Sequence, residues 1–295
     1  MDAAGKGFDA AASATNKALV TRAPFIQAFI HLCDDGWLQG WHERNGGNLT
    51  YRMTEEDVAK VRGGFDSEPR EWVDLGFSEP TLANAYFLIT GSGAYMHNVS
   101  ASPIENIGIV EMNEAGSAYR VVWGLMNRKP TSELPTHIMN HAIRMKATDG
   151  ACRVIYHAHP NNIIAMTFVE PLDARTFSRA LWKAMTECVV VFPEGVGVVP
   201  WMVPGGNEIA KATSEQMKSY PAVIWAQHGL FVSGADFDET FGLMHCIEKA
   251  ADIYFRARTM NGGSNEFLNT ITDEGLAQIG VEFNVDINKE FLDVQ

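Results

Sequence analysis

The sequence is poor in the features that mark several large protein classes. Its 295 residues include four cysteines, Cys33, Cys152, Cys188 and Cys246, and no CxxC pair, which favours buried free thiols in a reducing compartment. No apolar run approaches the length of a membrane span, and the first residues lack the basic and apolar regions of a signal peptide. Lysine and arginine number 23 against 36 acidic residues, a formal net charge of −13. This balance argues against nucleic acids and anionic membranes as partners, and we expect a soluble cytoplasmic protein.

The apolar residues that are present alternate between helical and strand spacing. Helical spacing covers residues 19–41, 133–148, 173–188, 207–220 and 236–260. Strand patterns cover residues 49–53, 85–90, 107–112, 118–125, 152–159, 196–204 and 222–234. Residues 54–80 are polar and rich in proline and glycine, which is typical of a loop. Because hairpins interrupt the alternation of strands and helices, we expect an α/β fold with a central mixed, mostly antiparallel sheet flanked by helices. A single domain would span residues 19–295 after a flexible extension at residues 1–18.

The stretch VIYHAHPNN, residues 154–162, ends a buried strand in two histidines. Residues i and i+2 of a strand share a face, so His157 and His159 would lie side by side. Zinc favours three or four N, S or O ligands, and the best third candidate is His228, at the join of two apolar strands. Two other interpretations stay open. The histidines can be ordinary hydrogen-bonding residues, or the metal pair can be His137 and His141, four residues apart on one helix face but without the glutamate of HExxH.

Three polar turns are candidates for holding an anion. NGGN (45–48), GSG (91–93) and TS (131–132) offer backbone N–H groups and neutral side-chain donors of the kind that bind phosphate. Each turn alone is equally typical of ordinary chain reversal, and none forms a Walker A loop or a GxGxxG fingerprint. Glu133 follows the third turn at a predicted helix start. A carboxylate there is typical of a helix cap, and beside a metal it suits a general base.

Six motifs occur together in the order and spacing of one known family. They are WHERNGGNLTYR, ITGSG, TSELPTH, VIYHAHP, TECVVVFPEGVG and WAQHGLFVSG. From about residue 25 to residue 260, the chain resembles the class II (zinc-dependent) aldolases. The resemblance implies an α/β fold with a mostly antiparallel sheet, one Zn²⁺ per subunit, and a homotetramer with active sites at subunit interfaces.

The resemblance also implies roles for individual residues. His157, His159 and His228 would ligate zinc, and Glu133 would be the acid/base. Glu187 would reach into the site of the neighbouring subunit. The residues that would bind the phosphate or substrate are Asn45, Gly46, Asn48, Ser92, Gly93, Thr131 and Ser132.

The implied reaction is retro-aldol cleavage of a sugar phosphate, L-rhamnulose 1-phosphate, to dihydroxyacetone phosphate and L-lactaldehyde in L-rhamnose catabolism. Two alternatives keep the same metal and phosphate sites: cleavage of L-fuculose 1-phosphate and 4-epimerisation of L-ribulose 5-phosphate. A third is a non-enzymatic protein like the adducin head, which resembles this fold and lacks the metal histidines. All three histidines are present here together with the glutamate, which favours an enzyme.

Overall fold

The computed structural model describes residues 19–293. These residues form two compact units, divided between Ile138 and Met139. The predicted extension at residues 1–18 lies outside the described residues. The assignment of residues 19–295 to a single domain stays a prediction.

The unit that ends at Ile138 is built on five strands. They are β1 (Asn48–Arg52), β2 (Val73–Asp74), β3 (Tyr86–Thr90), β4 (Ile107–Met112) and β5 (Ala118–Gly124). Its helices are α1 (Pro24–Leu38), α2 (Glu55–Val61) and α3 (Pro103–Asn106), with 3₁₀ turns at Arg62–Gly64, Pro80–Leu82 and Met96–Asn98. The strand order is β2-β5-β4-β3-β1, and each pair within it is antiparallel. This arrangement carries the chain from β3 directly into the GSG turn.

Buried apolar side chains on both faces of β3 and β4 hold this unit together. Phe87, Leu88 and Ile89 are fully buried, as are Ile109 and Val110 opposite them. Such continuous apolar runs are typical of strands that are covered on both faces. The helix α4 (Leu134–Ala147) begins directly after Glu133 and crosses the division between the units.

The unit that begins at Met139 contains four strands and most of the helices. The strands are β6 (Val154–Ala158), β7 (Gly197–Val199), β8 (Ala222–Trp225) and β9 (Gly229–Gly234). The helices are α5 (Asn161–Met166), α6 (Ala174–Ala184), α7 (Glu187–Val191), α8 (Asn207–Gln216), α9 (Phe237–Met260) and α10 (Asp273–Glu282), followed by a 3₁₀ turn at Lys289–Phe291. The strand order is β6-β9-β8-β7, in which β7 and β8 are parallel and the other pairs are antiparallel.

The register of β6 against β9 decides where the histidines meet. His157 lies opposite Phe231 and Ala158 lies opposite Leu230. The hairpin from β8 to β9 closes with Trp225 opposite Gly229. The end of β6 therefore lies beside the turn that carries His228, although 71 residues separate His157 from His228 along the chain.

The α/β class and the mixed, mostly antiparallel strand pairing are confirmed. The prediction of a loop over residues 54–80 was wrong at its start, where α2 forms. Thr54 caps this helix by accepting a hydrogen bond from the Asp57 N–H, and the Asp57 carboxylate accepts one from the Thr54 N–H. The sequence contains this reciprocal cap as Thr-x-x-Asp, but the loop composition around it hides the signal.

One predicted helix proves to be two. The pattern over residues 173–188 predicts a continuous helix, but α6 ends at Ala184, Met185 is extended, and α7 starts at Glu187. No proline or glycine marks the break in the sequence. Within residues 19–293, no helix is both long and apolar enough to cross a membrane.

Candidate metal and sugar-phosphate site

The three histidines of the HxH and QHG motifs converge on one point. His157 Nε2 lies 3.3 Å from His159 Nε2 and 3.4 Å from His228 Nε2. One ligand nitrogen from each ring lies within 4.8 Å of the others, and no other such group of three or more metal-ligand side chains is found within residues 19–293. The rival pair His137 and His141 therefore forms no metal site of this kind in the part of the chain that the structure describes.

These distances fit a zinc ion. Two nitrogens bound to one tetrahedral zinc at about 2.0–2.1 Å lie about 3.4 Å apart, which is the observed separation of the Nε2 atoms. His157 Nδ1 lies 3.1 Å from the Leu230 carbonyl oxygen, to which it donates. This hydrogen bond leaves the Nε2 lone pair available for a metal. His157 is buried, while His159 and His228 are half-buried, so the group is partly exposed.

A residue outside the histidine group holds in place the turn that carries His228. Gln227 has a left-handed backbone (φ 55°), which non-glycine residues adopt only when surrounding contacts hold it. Thr167 provides those contacts: its hydroxyl accepts from the Gln227 N–H at 3.0 Å, and its carbonyl accepts from the Gln227 side chain at 2.9 Å. Sequence reasoning missed both residues, because nothing local to either one indicates the contact.

Aromatic rings and a carboxylate support the other two histidines. The His157 ring stacks on Phe231 with 4.1 Å between centroids, and the centroid of the Trp225 ring lies 5.3 Å from that of His157. After His159, the chain enters α5, whose first N–H groups at Asn162 and Ile163 donate to Glu248 at 2.9 Å. These contacts hold the ends of the HxH segment in place.

Glu133 is a buried carboxylate with an amide partner. It is 7% exposed, and its Oε2 accepts a hydrogen bond of 2.7 Å from the Asn48 side-chain amide. Burial raises the pKa of Glu133 to about 7, although the Asn48 bond acts in the opposite direction. A carboxyl group with such a pKa exchanges protons readily near neutral pH, as a general acid/base must.

A chain of hydrogen bonds sets the orientation of Asn48. Because its amide N–H donates to Glu133, its carbonyl oxygen faces His137 Nε2 and accepts from it. Burial lowers the pKa of His137 to about 3, so the ring is neutral and its Nδ1 accepts from the Thr50 hydroxyl at 2.7 Å. His137 is thus a link that orients Asn48 towards Glu133, a role that its spacing from His141 did not reveal.

The second and third turns with phosphate candidates lie side by side. Gly91 and Pro130 form a bridge between them, and the Ser92 N–H donates to the Lys129 carbonyl at 2.7 Å. Ser92, Gly93 and Ser132 are exposed and Thr131 is buried. The backbone N–H groups of Ser92 and Thr131 are already bonded to the carbonyl oxygens of Lys129 and Thr90, so these two donors are not available to an anion.

The first turn and the remaining carboxylate are also placed by the structure. Asn45 is exposed, and the Gly46 carbonyl lies 2.9 Å from Nδ1 of the buried His42. Asn48 begins β1 and connects this turn to Glu133. Glu187 is exposed at the first residue of α7, so it begins a short helix instead of ending a long one.

Comparisons with known proteins identify the family of this chain. The family profile described as "Class II Aldolase and Adducin N-terminal domain" matches residues 27–255. A rhamnulose-1-phosphate aldolase from Shigella sonnei is 45% identical over 267 residues, which cover 90% of this chain and 96% of that protein. A rhamnulose-1-phosphate aldolase from Escherichia coli matches with the same identity and coverage.

Solved structures show the same fold. A sugar-phosphate aldolase from Thermotoga maritima matches with a TM-score of 0.66 and 28% identity, covering 80% of this chain and 95% of that one. An L-fuculose-1-phosphate aldolase from Thermus thermophilus matches with a TM-score of 0.55 and 20% identity, covering 83% of this chain and 100% of that one; at this identity the likeness concerns the fold alone. The profile covers well over half of the chain and the relatives are similar over nearly all of it, so the chain belongs to the class II aldolase and adducin family.

Proposed function

We propose that this protein is a zinc-dependent aldehyde-lyase that cleaves L-rhamnulose 1-phosphate to dihydroxyacetone phosphate and L-lactaldehyde, in L-rhamnose catabolism. The observation that carries the proposal is the convergence of three imidazole nitrogens at spacings that suit one zinc ion. The 45% identity to rhamnulose-1-phosphate aldolases supports this substrate over others that the same fold accepts. The histidine triad also favours an enzyme over a purely structural protein of the adducin type.

The metal and Glu133 would share the chemistry. His157, His159 and His228 would hold one zinc ion per chain, which would supply Lewis-acid stabilisation of the negative charge that develops when the C3–C4 bond breaks. Glu133 delivers a proton to the carbon that becomes part of dihydroxyacetone phosphate, and removes it in the synthetic direction. Its raised pKa, about 7, lets it hold and release that proton near neutrality. Asn48 keeps the carboxylate in one orientation by donating to it.

The phosphate would be held at the three polar turns. Asn45, Ser92 and Ser132 present exposed side-chain donors, and the remaining candidates shape the turns. The candidates that shape the turns are Gly46, Asn48, Gly93 and Thr131. Anchoring the phosphate at a fixed place aligns the bond to be broken, so that binding energy is used for orientation.

The same proposal includes assembly and location. We propose a cytoplasmic homotetramer whose active sites lie at subunit interfaces, with no nucleic-acid or membrane partner. The net charge of −13 and the family resemblance support these assignments. In this arrangement Glu187 enters the neighbouring copy's site and takes up the hydroxyl proton of the departing aldehyde. Its exposed position at the start of α7 is compatible with such a role.

Metal removal should abolish cleavage. Release of dihydroxyacetone phosphate from L-rhamnulose 1-phosphate, followed with a coupled reductase, should fall at least ~100-fold after treatment with a chelator and return when Zn²⁺ is added. The His228→Ala variant should bind less than one zinc per chain, as measured by mass spectrometry of the metal, and should stay inactive when zinc is added. The exposed His31→Ala variant is the matched control and should keep both zinc and activity.

Different outcomes would contradict different parts of the proposal. A protein that binds zinc but turns over only L-fuculose 1-phosphate or L-ribulose 5-phosphate would overturn the substrate. A protein that binds no zinc in chelator-free buffer would overturn the enzyme assignment and favour the adducin-like alternative.

Co-expression of two inactive variants should restore activity if Glu187 acts across an interface. We expect Glu133→Gln and Glu187→Gln each to be impaired as pure proteins. In randomly mixed homo-oligomers, about a quarter of the sites would combine an intact Glu133 with an intact Glu187 from the neighbour. Activity of the co-purified mixture, isolated with two different affinity tags, should approach that fraction of the wild-type rate. No gain over the separate variants would show that Glu187 does not act in the neighbouring copy's site.

A further inference from the structure

The candidate phosphate residues carry no positive charge of their own. Asn45, Ser92 and Ser132 are neutral donors, and the backbone N–H groups of Ser92 and Thr131 are already bonded within the chain. A phosphate group bears close to two negative charges at neutral pH, and charge-assisted hydrogen bonds to it are about twice as strong as neutral ones. A cation near these turns would therefore change the strength of binding.

Arg128 lies against the GSG turn. Its guanidinium donates from one terminal nitrogen to the Ser92 carbonyl at 3.3 Å. The same nitrogen is 3.5 Å from the place where a Cβ on Gly93 would stand, and Arg128 Cδ is 3.2 Å from the corresponding place on Gly91. The side chain thus follows the turn along residues 91–93, whose central residue, Ser92, is exposed.

A second arginine fixes the backbone that carries Arg128. Arg70 donates to the carbonyl oxygens of Arg128 at 2.6 Å and Gly124 at 3.1 Å, and also to that of Met126. Leu125 and Met126 both adopt positive φ, 56° and 38°, which other contacts must hold in place. These contacts therefore hold the backbone of residues 124–128 in place, and they fix the position from which the Arg128 side chain extends.

The Arg128 guanidinium has more N–H donors than its hydrogen bond to Ser92 uses. Among residues 19–293, its side chain forms no ion pair with a carboxylate, and Ser92 provides the acceptor for its hydrogen bond. A guanidinium carries five N–H donors in a planar fork that matches the oxygens of a phosphate. A half-buried arginine with further N–H donors beside a turn whose serine is exposed is suited to an anionic ligand.

We propose that Arg128 binds the phosphate group of the substrate from the side of the GSG turn and supplies the positive charge that the other candidate residues lack. This inference rests on the proposed function for the identity of the phosphate ester. In it, Arg128 is a binding residue, and Arg70 positions it through the backbone.

Phosphate binding by the zinc-loaded protein tests the proposal directly. Isothermal titration with inorganic phosphate and with dihydroxyacetone phosphate should give dissociation constants that are about 10- to 100-fold weaker for Arg128→Gln than for wild type. Arg128→Lys, which keeps the charge but loses the fork, should fall between them. Lys211→Gln removes one positive charge from an exposed position on α8 and should bind both ligands like wild type.

Steady-state kinetics should distinguish Arg128→Gln from wild type in the same way as the affinities do. With the phosphorylated substrate, Arg128→Gln should raise KM by a similar factor and change kcat little, because the lost contact concerns binding more than bond breakage. If wild-type protein binds phosphate but does not cleave L-rhamnulose 1-phosphate, the proposed function fails while the titrations still decide the role of Arg128. Equal affinity of wild type and Arg128→Gln for both ligands, or no phosphate binding by wild type, would overturn this inference.

Discussion

Glu133→Gln is expected to lower turnover about 100- to 10,000-fold, the contribution that a positioned acid/base makes. Glutamine keeps the size of the side chain and can still accept the Asn48 hydrogen bond through its amide oxygen, but it cannot carry a proton to or from carbon. The expected loss therefore falls mainly on kcat. The pH profile of kcat/KM should also lose the ionisation that burial places near a pKa of about 7 in Glu133.

Steady-state kinetics and zinc analysis together measure this prediction. Zinc content should remain at the wild-type level, because the three histidines are unchanged. Glu105→Gln, the same substitution at an exposed position in α3, is the matched control and should leave kcat unaltered. Wild-type turnover by Glu133→Gln would remove Glu133 from the mechanism, and a loss of zinc in that variant would show that its carboxylate contributes to metal binding.

Gly229→Ala is expected to disrupt the candidate metal site although it replaces none of the candidate ligand residues. A Cβ on Gly229 would stand 2.5 Å from the Ala158 carbonyl oxygen and 2.9 Å from both His157 Cε1 and His159 Cδ2. Neither the strand backbone nor the two rings can yield without moving the imidazoles apart. We expect the free energy of unfolding to fall by about 1–3 kcal/mol, as in other overpacked interiors, and turnover to fall about 100-fold from the displaced groups.

Zinc affinity measured against a competing chelator should separate this effect from general instability. Gly229→Ala should bind zinc at least ~10-fold more weakly, while its urea unfolding transition still shows a folded protein. Gly242→Ala is the control, because a Cβ there meets nothing within 4 Å and Gly242 lies inside α9; it should be slightly more stable than wild type. Wild-type zinc affinity in Gly229→Ala would show that the site tolerates the extra methyl group.

The sequence was most informative where a chemical requirement coincides with a local pattern. The i, i+2 spacing of His157 and His159 at a strand end predicts adjacent imidazoles, and the structure places their Nε2 atoms 3.3 Å apart. The strong apolar periodicity also predicts the positions of most helices and strands, including α9 (Phe237–Met260). Element ends were less predictable, as the break between α6 and α7 shows, because no proline or glycine marks that break in the sequence.

The roles of residues that depend on distant partners could not be assigned from the sequence. The spacing of His137 and His141 resembles a metal pair, yet His137 is a neutral, buried link between Thr50 and Asn48. Nothing in the sequence near Arg128 indicates a binding role, because an arginine in a polar loop is common. Only the fold brings Arg128 against the GSG turn. In each case the partner lies at least 36 residues away along the chain, and no local pattern encodes such a contact.

By itself, the sequence determined which donor types this protein offers: three imidazoles that suit a metal, neutral turn residues that suit an anion, and one carboxylate at a helix start. Those choices follow from side-chain chemistry and from the short-range geometry of strands and turns. Only the tertiary structure decided which nitrogen of His157 faces the other two histidines, through the Leu230 carbonyl, and how Asn48 is oriented towards Glu133. Strand pairing and burial fix both, because they place residues far apart in the chain within hydrogen-bonding distance and remove the water that would otherwise compete.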